Sequence, residues 1–233
     1  MIQISSLTVK ALARLIDHTL LKADATARQI DLLCDEALEQ GFASVMVNPF
    51  RVRQCADRLS DSGIEVGTVI GFPLGAVTVA DKLAEAETAL SNGATELDYV
   101  LNIGALRDGD LNLIETEMAD LTAACHAAGA KCKVIFETCC LTEEEIRAAA
   151  DIARRVGPDF IKTSTGFGSA GATAAHVRLM AECAGAQVGV KAAGGIRTWE
   201  DCRAMLEAGA TRIGASAGRQ ILEQFAAQGA GRS

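Results

Sequence analysis

Eight short segments rich in valine and isoleucine recur along the 233 residues of the chain, and a helical segment follows each of them. Short apolar runs of this kind are typical of parallel strands that are buried on both faces. Their alternation with helices predicts an α/β fold. The predicted strands cover residues 16–20, 44–47, 65–70, 96–101, 133–137, 160–163, 188–192 and 212–214.

The helical segments carry their own start and stop signals. In residues 26–41 the helical period places several apolar residues on one face, and Gly41 follows as a stop. Thr142 and Glu145 have the spacing of a capping box. The predicted apolar face of the first segment comprises Ile30, Leu33, Ala37 and Leu38.

Eight strand–helix repeats in a chain of this length predict one (β/α)8 TIM barrel over residues 1–233. Residues 9–15 are expected to form an extra N-terminal helix that closes the bottom of the barrel, and residues 228–233 are expected to be frayed. The alternative is an open doubly wound sheet. Such a sheet is expected to carry a dinucleotide or phosphate fingerprint after its first strand, and none occurs there.

Composition and charge exclude several function classes. The net charge is -8 and lysines and arginines form no run, which argues against nucleic acid as a partner. The sequence shows no basic leader and no apolar span of membrane length, so we expect no membrane association and a cytoplasmic location. The eight cysteines lack a C-x-x-C pair, although Cys139 and Cys140 are adjacent, and we expect free thiols rather than disulfides or a zinc site.

Ionisable residues interrupt the apolar strands. Barrel enzymes build their active sites at the carboxyl ends of strands, where such side chains can meet. For Lys133 or Glu137 alone, an apolar stem with its charged head in water is a sufficient explanation. Six such groups at corresponding depths favour a functional site, because buried charges are rare unless paired or functional. The six are Asp17, Asp98, Lys133, Glu137, Lys162 and Lys191.

Two lysines lie on consecutive predicted strands, Lys162 in the sixth and Lys191 in the seventh. Burial and a neighbouring like charge both lower the pKa of a lysine. A lysine that is neutral near pH 7 attacks a carbonyl and forms a Schiff base, which needs no cofactor. Asp98 could then accept and return protons through a water molecule.

Glycine-bearing turns follow the last three predicted strands. Glycines allow backbone N–H groups to approach an anion, and the N-terminus of the next helix adds partial positive charge. Barrels frequently bind phosphate with these loops. The predicted phosphate-binding residues are Gly166, Phe167, Gly194, Gly195, Gly214 and Ser216.

The segments DFIKTSTGF, VKAAGGIRT, RIGASAG, ELDYVLNIG, IDHTLL and SVMVNP resemble the 2-deoxyribose-5-phosphate aldolase family over about residues 9–225. The resemblance implies a (β/α)8 class I aldolase without a metal or other cofactor. Its partners would be a phosphorylated sugar and acetaldehyde, since the family interconverts 2-deoxy-D-ribose 5-phosphate with D-glyceraldehyde 3-phosphate and acetaldehyde. Relatives of this kind are often dimers or tetramers, so we expect a homo-oligomer.

The resemblance also assigns roles to single residues. It implies that Lys162 forms the Schiff base, that Lys191 lowers its pKa and assists proton transfer, and that Asp98 is the acid/base. Asp17 and Thr165 match residues on the side of the substrate hydroxyls. The six turn residues match the phosphate cradle. Lys133 matches a strand-5 lysine that helps to set the charge network, and we group it with Asp17 and Thr165 as an expected substrate-binding residue.

Two features depart from the family pattern. Many members carry a cysteine where this chain has Met46, and a methionine cannot form the covalent adduct of a thiol with an unsaturated aldehyde. Some members end in a tyrosine that reaches the site, whereas this sequence ends in GAGRS, so we expect slower proton exchange or exchange through water alone.

Other functions remain as alternatives. Another Schiff-base phosphosugar aldolase could use the same barrel. A metal-dependent epimerase is disfavoured because the three histidines, His18, His126 and His176, do not suggest a metal site. A binding protein without catalysis is disfavoured because Lys162, Lys191 and Asp98 are all present.

Overall fold

The computed structural model describes residues 2–230, and within them eight parallel strands close into one barrel. The strands follow one another around the barrel in sequence order, and β1 pairs with β8 to complete it. This confirms the predicted (β/α)8 barrel. The strands are β1 (Ile16–Leu20), β2 (Ser44–Val47), β3 (Glu65–Ile70), β4 (Glu96–Val100), β5 (Lys131–Ile135), β6 (Phe160–Lys162), β7 (Gly189–Ala193) and β8 (Arg212–Ala215).

Ten α-helices occur in the same described range. The first precedes β1 and confirms the extra N-terminal helix, although it ends two residues earlier than the sequence predicts. Two helices, rather than one, connect β4 to β5. The helices are α1 (Val9–Ala13), α2 (Ala27–Gln40), α3 (Val52–Arg58), α4 (Val79–Ser91), α5 (Ile103–Arg107), α6 (Leu111–Ala127), α7 (Glu143–Val156), α8 (Ala174–Ala184), α9 (Trp199–Glu207) and α10 (Gly218–Ala230).

Threonine caps fix the start of several helices. Thr142 accepts from the backbone of Glu145, and the Glu145 side chain accepts from the Thr142 backbone, which confirms the predicted capping box. Each such cap stabilises a helix by ~1 kcal/mol. The stop predicted at Gly41 is also present, since this residue ends α2 in the left-handed region at a φ of 69°. Further capping boxes begin at Thr26, Thr78 and Thr198.

The buried face of α2 differs from the predicted one at two positions. Leu38 is 45% exposed, whereas Cys34 is fully buried. Ile30, Cys34 and Ala37 follow the i, i+4, i+7 spacing of one helical stripe, and Leu38 lies about 100° around the helix from Ala37. The prediction for Leu38 was therefore wrong, because the buried face of α2 is too narrow to include it although the residue is apolar.

The two faces of the sheet have opposite character. In β4, Leu97 and Tyr99 belong to the apolar core between the sheet and the helices. Glu96 and Asp98 point to the other face, because residues two apart in a strand share a side. The apolar layer against the helices holds the barrel together, and the interior of the barrel carries charge beside a small apolar cluster of Leu21, Met46 and Val69.

Strand β5 begins and ends two residues earlier than predicted. The expectation that Glu137 lies in this strand is wrong, because the strand ends at Ile135 and Glu137 adopts a φ of 53°. Glu137 precedes a 3-10 turn, Thr138–Cys140, and the Thr138 amide donates to the carbonyl of Thr163. The turn redirects the chain just as it leaves the barrel.

At the C-terminus, α10 includes residues 228–230 of the segment that was expected to be frayed. The remainder of that segment, residues 231–233, lies outside the described residues, as does Met1. Within residues 2–230, every helix is too short or too polar to cross a bilayer.

Candidate active site

A cavity of about 360 Å³ opens where the chain leaves the carboxyl ends of β1, β6, β7 and β8. Active sites of barrel enzymes lie at this end. Lys162 and Thr165 line the cavity, and so do Thr19, Lys22 and Arg197, which the sequence interpretation did not single out. The structure also places all six predicted phosphate-binding residues on its wall: Gly166, Phe167, Gly194, Gly195, Gly214 and Ser216.

Lys162 lies at the base of the cavity and is 2% exposed. Burial lowers its pKa to about 8, and the positive charges of Lys191 and Lys133 act in the same direction against the opposing effect of Asp98. About a tenth of a population with this pKa is neutral at pH 7, compared with well under a thousandth for an ordinary lysine. The neutral amine is the nucleophilic form.

Lys191 lies beside Lys162 but deeper in the barrel. The pairing of β6 with β7 aligns the two residues. Lys191 Nζ lies 2.7 Å from Asp98 Oδ2 and 2.5 Å from Asp17 Oδ2, and its side chain is 1% exposed. The structure thus brings the two lysines together through one carboxylate, since Lys162 Nζ lies 2.8 Å from the same Asp98 oxygen.

Asp98 is fully buried and surrounded by cations. Its Oδ1 accepts from Lys133 at 2.8 Å, and its Oδ2 accepts from Lys162 and Lys191. Burial alone raises the pKa of a carboxyl group, but the three ammonium groups outweigh this effect and hold the pKa of Asp98 well below its usual range. Asp98 is therefore ionised and acts on both lysines at once.

Asp17, which is expected on the side of the substrate hydroxyls, lies beneath the cavity wall and does not line it. It is fully buried, and its Oδ1 accepts from Arg212 at 2.6 Å and from Ser44 at 2.7 Å. The reason is its depth along β1, because Thr19, two residues later on the same face, is the one that reaches the cavity. Although burial opposes it, the attraction of Lys191, Lys133 and Arg212 lowers the pKa of Asp17.

Lys133 also lies beneath the cavity, with no exposed surface. Its Nζ donates to Glu96 Oε2 at 2.6 Å and to Asp98 Oδ1 at 2.8 Å. Burial opposes the charged form, but Asp98 and Glu96 together raise the pKa of Lys133. Arg212 Nη1 lies 3.4 Å from Glu96 Oε1. Glu96 and Arg212 were not among the predicted site residues, although both begin predicted strands.

The buried charges nearly balance. Three carboxylates face four cations in the barrel interior, so the network carries one surplus positive charge when every cation is protonated. Loss of the proton from Lys162 makes the network neutral. Buried charge is costly unless it is paired, so the network itself favours the neutral amine at the cavity. The seven groups are Asp17, Glu96, Asp98, Lys133, Lys162, Lys191 and Arg212.

Thr165 is held in place by Glu137, one of the six ionisable residues predicted to gather at the site. The Glu137 carboxylate accepts from the backbone N–H of Thr165 at 3.3 Å and from its hydroxyl group. Thr165 Oγ1 in turn accepts from the Phe167 amide at 3.0 Å. Glu137 is 3% exposed, so it fixes the first residues after the β6 lysine from below.

The loops after β6 and β7 are in direct backbone contact. A Cβ atom at Gly171 would lie 2.2 Å from the carbonyl oxygen of Gly194, so a side chain cannot be accommodated there. The Ala172 amide donates to the same carbonyl at 3.0 Å. Gly194 itself has a φ of 88°, which favours glycine. These contacts hold the two glycine turns against each other on one wall of the cavity.

Two exposed cations, Lys22 and Arg197, lie on the cavity wall. Helix α10 begins at Gly218, two residues after Ser216, so its N-terminal amides add partial positive charge near that wall. The wall therefore suits an anion, in contrast to the net negative charge of the chain.

The histidines lie outside this cavity wall. His18 pairs with Glu36 at 2.6 Å, and His126 pairs with Asp159 at 3.0 Å. Within the described part of the chain, His, Cys, Asp and Glu side chains form no group of three or more that could hold a metal ion.

Comparison with known proteins places the chain among aldolases. The model of the DeoC/LacD family aldolases matches residues 11–224. A deoxyribose-phosphate aldolase of Exiguobacterium sibiricum is 55% identical over 212 residues, covering 91% of this chain and 95% of the relative. One of Thermococcus gammatolerans is 52% identical over 214 residues, with the same two coverages, 91% and 95%.

Solved structures of aldolases are also similar to this chain. A structure described as the tetrameric deoxyribose phosphate aldolase of Aeropyrum pernix matches with a TM-score of 0.89 at 34% identity, over 95% of this chain and 93% of that one. A putative deoxyribose-phosphate aldolase of Coccidioides immitis gives a TM-score of 0.89 at 42% identity, over 93% of this chain and 86% of that one. The chain belongs to the DeoC/LacD family of aldolases.

Proposed function

We propose that this protein is a class I aldolase that reversibly cleaves 2-deoxy-D-ribose 5-phosphate to D-glyceraldehyde 3-phosphate and acetaldehyde through a Schiff base on Lys162. The observation that carries the proposal is a buried lysine with a lowered pKa at the base of a cavity whose wall suits an anion. The relatives named deoxyribose-phosphate aldolase support the choice of substrate.

The phosphate group binds the glycine wall of the cavity. Backbone amides of the turns after β6, β7 and β8 donate to its oxygens, and Arg197 and Lys22 supply positive charge from the rim. Thr165, whose hydroxyl group donates to Glu137, accepts from a substrate hydroxyl group through Oγ1. This arrangement directs the aldehyde end of the open-chain sugar towards Lys162.

The neutral amine of Lys162 attacks the aldehyde carbon, and the carbonyl oxygen takes up a proton to give a carbinolamine. Loss of water then forms the iminium ion. Lys191, whose ammonium group shares the Asp98 oxygen with Lys162, lies nearest to supply that proton. Its positive charge also helps to lower the pKa of Lys162, which raises the neutral fraction of that amine between turnovers.

Cleavage follows from the electron demand of the iminium ion. The hydroxyl group on the third carbon loses its proton, the bond between the second and third carbons breaks, and its electron pair forms an enamine on Lys162. D-Glyceraldehyde 3-phosphate leaves. A proton then adds to the second carbon, and water hydrolyses the iminium ion to release acetaldehyde and the free amine.

We assign the two proton transfers of the cleavage, from the hydroxyl group on the third carbon and to the second carbon, to Asp98 acting through a water molecule. In the free protein three lysines hold Asp98 as a carboxylate. Formation of the Schiff base leaves the Lys162 nitrogen with a single N–H in place of three, which loosens its contact with Asp98 Oδ2. Lys133 and Asp17 act indirectly, since they hold Asp98 and Lys191 in position from below the cavity.

Reduction with borohydride in the presence of acetaldehyde tests the mechanism. We expect a stable ethyl group on Lys162, identified by mass spectrometry of the proteolysed protein, and no label in a Lys162→Leu variant. A label on a different lysine contradicts the assignment. Assay of other phosphosugars beside 2-deoxy-D-ribose 5-phosphate separates this function from another Schiff-base phosphosugar aldolase, which would label equally but prefer a different sugar.

We further propose a homo-oligomer, a dimer or a tetramer, in the cytoplasm. The support for assembly is the Aeropyrum pernix relative, whose structure is described as tetrameric. Light scattering on the purified protein measures the subunit number, and a monomer at micromolar concentration contradicts the proposal.

A further inference from the structure

Cys139 and Cys140 form an adjacent pair of thiols in the 3-10 turn that follows β5. Their sulfur atoms lie 4.0 Å apart. Cys139 is half-buried and Cys140 is exposed, and both are free. The aldolase chemistry proposed above uses neither thiol.

This pair is poorly suited to form a disulfide. Adjacent Cα atoms across a trans peptide lie about 3.8 Å apart. Disulfides usually join Cα atoms about 4.4–6.8 Å apart, so a bond between neighbours is strained. A single soft atom that bonds to both sulfurs avoids this strain, because it bridges the sulfurs without bringing them to bonding distance. The geometry therefore favours chelation by two thiols over oxidation.

The other thiols offer no comparable site in the described residues. Cys183 is half-buried and lies near Arg147 rather than near a second thiol. Two further pairs, Cys34 with Cys55 and Cys125 with Cys132, are at most 1% exposed and inaccessible to a reagent in the folded protein.

The pair is in contact with the candidate active site. Cys139 Sγ lies 3.6 Å from Glu137 Oε1, to which it donates, and Glu137 fixes Thr165. A Cβ atom built on Gly168 would lie 2.8 Å from Cys139 Sγ, so the sulfur packs against the turn that follows Lys162. A heavy atom on Cys139 would replace the S–H donor and add bulk against this turn.

We propose that Cys139 and Cys140 together bind trivalent arsenicals by two-thiol chelation, and that the bound arsenic slows the enzyme by displacing Glu137 and the turn at Gly168. In the reaction an arsenic–oxygen double bond and two S–H bonds are replaced by two arsenic–sulfur bonds and one water molecule. Arsenic stays trivalent, so no oxidant is required.

Phenylarsine oxide is the probe, and the intact protein, the Cys140→Ser variant and the matched control Cys183→Ser are compared. We expect one phenylarsenic group per chain on the peptide that holds Cys139 and Cys140, removed by 2,3-dimercaptopropanol but not by an equal amount of a monothiol. Cys140→Ser should require ~100-fold more probe for half-labelling, because the second bond is then no longer intramolecular. Cys183→Ser should label like the unchanged protein.

Mass spectrometry tests the site independently of any activity, whereas the inhibition rests on the proposed aldolase function. Labelling that Cys140→Ser leaves unchanged, or a label confined to another cysteine, overturns the site. Full labelling of the pair with unchanged turnover of 2-deoxy-D-ribose 5-phosphate overturns the coupling to Glu137. Absence of turnover before labelling contradicts the proposed function and leaves the labelling result to decide the site.

Discussion

Lys162 and Lys191 direct their ammonium groups at the same oxygen atom, Asp98 Oδ2, from 2.8 Å and 2.7 Å. One carboxylate therefore serves two neighbouring cations, and burial lowers the pKa of Lys162, the cation nearer to the cavity. Burying two positive charges side by side costs free energy, and loss of the proton from Lys162 removes that cost. The reactive amine is thus a property of the pair and not of Lys162 alone.

Replacement of Lys191 by methionine should impair catalysis strongly. Without Lys191, Asp98 pairs more closely with Lys162, and the pKa of Lys162 rises towards that of an ordinary lysine. We expect kcat to fall by ~10²–10⁴, the range that a positioned proton-transfer group contributes. The pH dependence of borohydride labelling by acetaldehyde should move to higher pH in the same variant. The control is Lys10→Met on the exposed surface of α1, and an unchanged labelling profile in Lys191→Met would contradict the coupling.

Replacement of Lys162 by methionine should stabilise the folded protein at pH 7. Burial lowers the pKa of Lys162 to about 8 from 10.5, so the charged form is disfavoured in the folded state. Between these two values the unfolded chain binds more protons, and the stability of the unchanged protein therefore rises with pH. Below pH 8 the cost of the surplus charge is present in full. We expect Tm of Lys162→Met to exceed that of the unchanged protein by roughly 2–4 °C at pH 7, a shift that ~1 kcal/mol produces in a chain of this size.

The same measurement across pH provides its own control. The advantage of Lys162→Met should shrink as the pH rises from 8 towards 10.5, because the unchanged protein then sheds the buried proton. A Tm difference that is constant over this range, or a less stable variant at pH 7, contradicts the idea of a surplus buried cation.

Glu137 should act as a positioning residue for Thr165. The Glu137→Gln side chain keeps its size but presents one acceptor oxygen instead of two to the backbone N–H and hydroxyl group of Thr165. Hydrogen bonds to charged groups contribute about 1.5–3 kcal/mol, so we expect kcat/KM to fall by ~10–100-fold. The Thr165→Val variant should fall similarly, and the double variant should be no worse than the poorer single one. Additive losses would mean that the two residues act separately.

The fold and the two lysines could be predicted from the sequence because both leave a pattern within a short stretch of residues. Eight short apolar strands separated by capped helices in a chain of this length favour the (β/α)8 barrel. The Thr142–Glu145 capping box follows from the spacing of the two residues alone. A lysine inside an apolar strand is unusual enough to single out Lys162 and Lys191. Their shared partner Asp98 interrupts its strand in the same way.

The depth at which a side chain lies within the barrel could not be predicted from the sequence. Asp17 and Lys133 were expected to bind substrate, yet they lie one layer beneath the cavity because barrel closure sets the stagger between distant strands. Glu96 and Arg212 begin their strands, where charged residues are ordinarily exposed. Glu96 meets Lys133 across the paired strands β4 and β5, and closure of the barrel between β8 and β1 brings Arg212 to Asp17. The left-handed backbone of Glu137 has no local signal, since few residues other than glycine adopt it.

Arg197 should select for the phosphate group. It is exposed on the cavity wall beside the glycine turn that follows β7. We expect Arg197→Met to raise KM for 2-deoxy-D-ribose 5-phosphate about tenfold, the loss of ~1.4 kcal/mol of binding, with little change for unphosphorylated 2-deoxy-D-ribose. The matched control is Arg203→Met, since Arg203 is exposed on α9 and pairs with Glu207. Equal effects on both sugars would remove Arg197 from the phosphate site.

Met46 should protect the enzyme from unsaturated aldehydes. It is fully buried in an apolar cluster with Leu21 and Val69, and Leu21 lines the cavity. A thioether cannot add to the carbon–carbon double bond of crotonaldehyde, whereas a thiol at the same position can. We expect Met46→Cys to lose activity in crotonaldehyde several-fold faster than the unchanged protein, as measured by residual cleavage of 2-deoxy-D-ribose 5-phosphate. The Met46→Ser variant controls for the lost packing, because serine is close to cysteine in size but has no thiol. Inactivation of Met46→Cys at the same rate as Met46→Ser contradicts the prediction.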